Sequence, residues 1–217
     1  MLLSEAELLR RRAAWDALSF LFLDTEVRDA LPSAAVTLIE VGYHRNEIEA
    51  IFLDEITPVL HSNLKQVAGV WSGFDLDWLA SEIGKRKLPD RPPTLSRWRR
   101  MVLRMRAWPA TDELDALLTL VERAALVEPH ERNAWARALG ALVATYFERP
   151  SMSSFQNAHD ERFIAAGVAP ERVDRIVEDL YLVFPRLRVR GLDPAESIGR
   201  ARVAALLAAG TARHDPV

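Results

Sequence analysis

The run Asn46-Glu-Ile-Glu-Ala-Ile51-Phe-Leu-Asp-Glu55-Ile-Thr-Pro58-Val59 decides how the whole chain is read. Ile48, Ile51, Phe52 and Val59 recur at intervals of three and four, the spacing of one helical face, and no period-two alternation competes with it. Asn46 with Glu49 has the form of a capping box, and Pro58 predicts a kink or break. One residue conflicts with the pattern. At about 100° per residue, Glu55 projects among the four apolar side chains, where a carboxylate loses its hydration. It must then find donors or bind a proton. The spacing predicts a buried Glu55 held by a Trp indole, by Tyr43 or by an Arg, with a carboxylate serving a binding pocket as the other reading. Asp54 lies beside it on a different face.

The same periodicity extends both ways. Ser4 with Glu7 caps a first helix to about Leu23, with Leu8, Trp15, Leu18 and Phe22 in one stripe. Pro32 suits the first turn of a second helix and Gly42 its end. Asp75 opens a short helix that stops at Gly84. Further helices are predicted over 96–107, 112–126, 129–147, 154–166, 170–184 and 194–209, with Gly167 and Gly210 as stops. The fold class is therefore all-α, a helical bundle of about nine helices. Residues 1–84 form an acidic helical module, 85–94 a Pro-rich linker, and 95–217 a second helical module, packed with the first as one body or separate from it.

Two parts of the chain echo each other. Ala14-Trp15 matches Ala134-Trp135, and Leu38-Ile39 before Gly42 matches Phe163-Ile164 before Gly167. Counted from each glycine, Ile48, Ile51, Phe52 and Val59 match Val173, Ile176, Val177 and Phe184. Either a duplicated three-helix unit or a chance alignment of amphipathic helices around glycine caps produces this. In that register, Leu180 stands opposite Glu55.

The 217 residues are 49% hydrophobic and 27% charged, enough for a core and unlike a disordered or fibrous chain. The absence of cysteine excludes disulfides, thiolate zinc sites and a catalytic thiol, and suits a reducing, cytoplasmic setting. No run of about 18 apolar residues predicts a membrane span, and the polar start lacks the order of a secretion signal. Arg outnumbers Lys 25 to 3, the bias of a GC-rich bacterial genome.

The net charge of −3 conceals an asymmetry. Residues 1–83 carry 14 acids against 6 bases, 84–110 carry 9 bases against Asp90 alone, and 111–217 carry 16 acids against 13 bases. A basic strip can collect phosphates or neutralise the acidic module beside it, and the overall acidic balance favours the second. On a wheel of 96–107, Trp98, Met101, Val102 and Met105 cover one arc and Arg97, Arg100 and Arg104 another. Core packing is the default for the Trp and Met residues; a docking face for a partner is the other reading.

Nucleotide loops, a G-x-S-x-G elbow and an H-E-x-x-H pair are all missing from the sequence. His130, the pair His159-Asp160 and a downstream acid, Asp174, Asp179 or Asp193, supply the residue types of a metal-dependent HD-type hydrolase, but the polar surroundings of His159 favour solvated histidines. In the stretch 67–78, Gly69 and Gly73 permit close turns, while Trp71, Phe74 and Trp78, with Asp75 among them, make a lid over the core or a recognition surface.

Phe22-Leu-Asp-Thr-Glu26, Glu47-Ile-Glu-Ala-Ile51, Pro58-Val-Leu, Asn63-Leu and Val67-Ala-Gly-Val-Trp-Ser-Gly-Phe-Asp75 with Trp78-Leu79 resemble an uncharacterised bacterial domain family over about residues 10–85. The resemblance implies a small helical protein and transfers no catalytic residue.

The expectation is a cytosolic, non-enzymatic protein-binding helical protein, of the kind that neutralises toxins as an immunity protein. Its acidic module would complement a basic active site. Candidate binding residues are Glu55, Trp71, Phe74, Asp75, Arg97, Arg100 and Arg104. No metal or cofactor is expected. Another protein is the expected partner, a membrane is not, and nucleic acid is disfavoured. The alternatives are the hydrolase on His130, His159 and Asp160, and a nucleic-acid-associated regulator using the basic helix.

Overall fold

The computed structural model describes residues 3–23, 27–61, 73–86, 88–108, 110–148, 175, 178–180 and 182–183. Eight α-helices and no strand occur among the described residues, so the chain is all-α, close to the expected helix count. The helices expected at 154–166 and 194–209, most of the one at 170–184, and Trp71 lie outside the described residues. The chain divides into two compact units, Met1–Val27 with Ala34–Glu122, and Arg28–Ser33 with Arg123–Val217. No helix among the described residues is long and apolar enough to cross a membrane.

In the first unit, α1 (Glu5–Ser19) begins where Ser4 Oγ accepts from the Glu7 N–H at 3.2 Å, and a 3₁₀ turn (Phe20–Phe22) ends the rod. Its buried face is Arg11, Ala14, Trp15 and Leu18. Leu8, expected in that stripe, is largely outside; the guanidinium of Arg11 goes in instead. Helix α2 (Leu31–Glu40) closes in a Schellman motif: Tyr43 N–H reaches Leu38 O at 3.2 Å and Gly42 N–H reaches Ile39 O at 2.9 Å. This requires φ of +81° at Gly42.

The decisive stretch is one long rod in three parts: α3 (Arg45–Ala50), a π-helical segment (Ile51–Ile56) and α4 (Thr57–Leu60). The helix starts one residue before the expected cap, Asn46, because the Glu47 carboxylate accepts from the His44 N–H at 3.0 Å. Glu49 is thereby free for other work. The π segment is the chain's answer to Pro58. A proline ring clashes with the carbonyl four residues back and offers no N–H. Widening the turn lets Thr57 N–H and Oγ1 both bond Phe52 O, and Arg86 Nη1 takes the Asp54 carbonyl at 3.1 Å. One inserted residue also shifts the register. Leu60 is buried where the sequence spacing put Val59, and Val59 is half-buried.

Helices α1 and α6 (Arg97–Ala107) pack on the π segment, and α5 (Leu76–Gly84) packs on α1 and α4. Phe22 and Phe52 stack at 5.0 Å between ring centroids, and Leu18, Ile48, Ile56 and Leu79 are fully buried in the same unit. Helix α7 (Thr111–Ala125) buries Leu114, Leu117, Leu118 and Val121. In the second unit, a 3₁₀ turn (Pro129–Glu131) leads into α8 (Arg132–Glu148), which buries Trp135, Leu139 and Val143. At Gly140, a Cβ would lie 2.6 Å from the Asp29 carbonyl oxygen.

Two glycine substitutions separate backbone strain from collision. Gly42→Ala has room, with Arg10 3.5 Å from the new Cβ, and should cost only the left-handed strain, about 1 kcal/mol. Gly140→Ala forces backbone to move and should lower the urea midpoint further than Gly42→Ala does.

Candidate functional site

Glu55 is 1% exposed, as its place in the apolar spacing predicts. Oε2 accepts from Trp15 Nε1 at 2.8 Å, and Oε1 accepts from Arg11 Nη1. Arg11 is itself 0% exposed. Its Nε donates to Glu7 Oε1 at 2.8 Å and to Tyr43 Oη at 3.1 Å, and its Nη2 reaches Pro89 O at 3.4 Å. Tyr43 Oη donates to Glu7 Oε1 at 2.8 Å, and Arg10 joins Glu7 Oε2 at 2.9 Å while lying over the Tyr43 ring. Two carboxylates and two guanidiniums thus share one formally neutral network. Both oxygens of Glu55 are spent on internal donors.

Burial pushes the Glu55 carboxyl above its ordinary range, and the opposing pull of Arg11 and Trp15 only partly offsets it. For Arg11, burial acts downward, but Glu55, Tyr43 and Glu7 outweigh it and hold the guanidinium above its ordinary value. Tyr43 is held above its ordinary value by burial and by the bond it donates to Glu7.

The second unit repeats the joint. Trp135 Nε1 donates to Asp179 Oδ2 at 2.9 Å, Arg123 Nε donates to Asp179 Oδ1, and Asp179 is 0% exposed. Tryptophan, acid and arginine recur as Trp15, Glu55, Arg11 and Trp135, Asp179, Arg123. The acid's counterpart is Asp179 and not Leu180. Glu55 is 13 residues past Gly42 and Asp179 is 12 past Gly167. The difference equals the residue that the π segment inserts.

The basic helix α6 is oriented opposite to the expectation of core packing for its Trp and Met residues. Leu103 and Ala107 face inward, while Trp98 (72%), Met105 (68%) and Met101 (45%) are exposed, with Trp108 (70%) just past the end. The reason is electrostatic. Arg99 pairs with Asp54 at 2.6 Å, Arg100 with Glu49 at 2.8 Å, and Arg104 with Glu49 at 2.7 Å and with Asp115. The carboxylates pull the arginine side of the helix inward and turn the Trp/Met side to solvent. The strip therefore neutralises acids of its own chain.

The remaining candidates are dispersed. Asp75 caps α5, accepting from Trp78 N–H at 2.8 Å, and Phe74 is half-buried next to it. Arg97 is exposed. The His130 side chain is 79% exposed, its nearest carboxylate being Glu131 at 3.8 Å. His159 and Asp160 lie outside the described residues, among which no group of three metal-ligating side chains converges. The sequence reading missed Arg11, and it offered Asp179 only as a downstream acid of the hydrolase reading, whereas its oxygens are taken by Arg123 and Trp135. Arg11 was detectable, because it stands four residues from both Glu7 and Trp15 on the buried stripe.

Glu55→Ala should cost about 3–5 kcal/mol, since it leaves Arg11 buried without its charge partner. Asp179→Ala should cost less, because the Arg123 side chain is 24% exposed and can rehydrate. Urea midpoints check both. Tyr43 gives a pH prediction. Its folded pKa lies above the unfolded value, so above about pH 10 the unfolded chain releases a proton that the folded chain keeps. Stability then falls by about 1.4 kcal/mol per pH unit through this group. Tyr43→Phe should show a shallower decline between about pH 10 and 11.5 than the parent chain.

No curated protein and no solved structure matches the chain at a significant level. A family model described as "Domain of unknown function (DUF7079)" matches residues 9–120, extending past the α5 region to take in α6 and most of α7. The matched span covers Glu55 but not Glu7 of the first network, both of its arginines, and the whole clamp on α6. The chain belongs to the DUF7079 family.

Proposed function

We propose that the chain is a protein-binding module, a binder and not a catalyst, and that the outer face of α6 makes the contact. One observation carries this reading: three large apolar side chains, Trp98, Met101 and Met105, share the solvent side of one helix, with Trp108 immediately after it. Scattered apolar residues on a surface need no explanation, but a contiguous aromatic and methionine stripe is the composition of an interface centre. Methionine adapts its shape to a partner, and tryptophan supplies the anchor residues that dominate binding energy.

A toxin-neutralising immunity role, in the reducing cytoplasm that a cysteine-free chain suits, is one form of this reading. The basis differs from simple charge complementarity. Glu49, Asp54 and Asp77 are each paired with an arginine of the chain itself, so the apolar stripe, and not the acidic module, carries the contact.

The test is a differential capture from extract of the native host. Trp98→Ser with Met105→Ser should leave the free energy of unfolding in urea within about 0.5 kcal/mol of the parent, because both side chains are exposed, and should abolish retention of a partner. Arg12→Ala, away from α6, should retain it. A partner held equally by all three chains would remove this reading.

A further inference from the structure

We infer that the occupant of the α6 face is an amphipathic helix of a partner protein whose apolar stripe is bordered by carboxylates; this rests on the binding reading above. The stripe itself sets the shape. From Trp98 to Met105 is about 10 Å along the axis and to Trp108 about 15 Å, the reach of two to three helical turns. The anchors stand at intervals of three and four, the spacing that another helix meets ridge against groove. Among the described residues there is no strand, hence no sheet edge for an extended peptide to join.

Charge sets the chemistry of the border. Arg97 and Arg106 are exposed and have no carboxylate partner among the described residues. On the wheel they flank the stripe on opposite sides. Beside Met101 and Met105 runs an open groove of about 380 Å³, with Arg97, Arg100 and Arg104 along its wall. Arg100 and Arg104 are held from below by Glu49 yet remain about a third and a quarter exposed, at 34% and 27% of the side chain. A side chain with an apolar stem and an anionic tip fits such a groove. Glutamate on the flank of an apolar helix has that form.

The same charges disfavour the other occupants. A second copy of this chain would bring arginine borders against arginine borders. On α6, among the described residues, an anionic membrane would meet two cations not already engaged, Arg97 and Arg106, worth about 1 kcal/mol each at the surface, on a chain with net charge −3.

The experiment titrates the full chain with three labelled helical peptides of about five turns. One carries a Leu/Met stripe flanked by Glu, one the same stripe flanked by Lys, and one the Glu flanks with a Ser stripe. Phosphatidylglycerol vesicles and sedimentation of the chain alone complete the set. The Glu-flanked apolar peptide should bind at least about tenfold tighter than either relative and weaken with salt. Trp98→Ser with Met105→Ser should abolish that binding, and Arg97→Glu with Arg106→Glu should weaken it about tenfold while leaving the fold intact. Equal binding of the Glu- and Lys-flanked peptides would overturn the acidic border. Binding to vesicles but to no peptide, or a dimer that Met105→Ser dissolves, would overturn the helical partner. If no peptide binds while the stripe variant still loses its captured partner, this inference falls and the binding reading stands. If the stripe variant changes neither assay, both fall.

Discussion

A guanidinium cannot be taken out of water without a countercharge, and the first unit is organised around meeting that condition for Arg11. Leaving such a charge uncompensated costs several kcal/mol, a large share of the net stability of an ordinary domain. Four elements contribute to the solution: Glu7 from α1 itself, Tyr43 from the turn after α2, Glu55 from the π segment, and the Pro89 carbonyl from the segment before α6. Their positions are mutually constrained, because a guanidinium donates in a fixed planar fork. Apolar packing would tolerate small slides of these helices; the fork does not. In this sense the network specifies the arrangement more than it stabilises it.

The π segment is where sequence and geometry trade most directly. Pro58 rules out a regular helix through residues 54–58, and the widened turn that accommodates it brings Glu55 to Arg11 and Trp15. The second unit reaches the same trio of residue types with Asp179, a shorter acid one place earlier. The acid of the π segment and Asp179 each accept a hydrogen bond from a tryptophan indole.

Much of this was legible from spacing alone. The all-α class, the Schellman glycine at Gly42, the caps at Ser4 and Asp75, and the burial of Glu55 all follow from local rules, because each depends on residues within a turn or two. What escaped depends on tertiary partners. A wheel shows that α6 has a Trp/Met side and an Arg side, but not which side meets the core. That was decided by Glu49 and Asp54, some 45 to 55 residues upstream, whose carboxylates attract the arginines. The pairing of Glu55 with Leu180 failed for a similar reason: a fixed 100° step cannot see an inserted residue, so Val59 was placed inward in place of Leu60. No local signal marks a π turn except the proline that follows it.

The clamp on α6 has a thermodynamic consequence. Arg99, Arg100 and Arg104 tie the helix to Asp54, Glu49 and Asp115 on one side, while Leu103 and Ala107 seat it in the core. Its outward anchors are therefore mounted on a backbone that is already ordered before anything arrives. The partner proposed for this face would meet a preset template and lose little entropy to its host on landing, so more of the gross contact energy would survive as affinity.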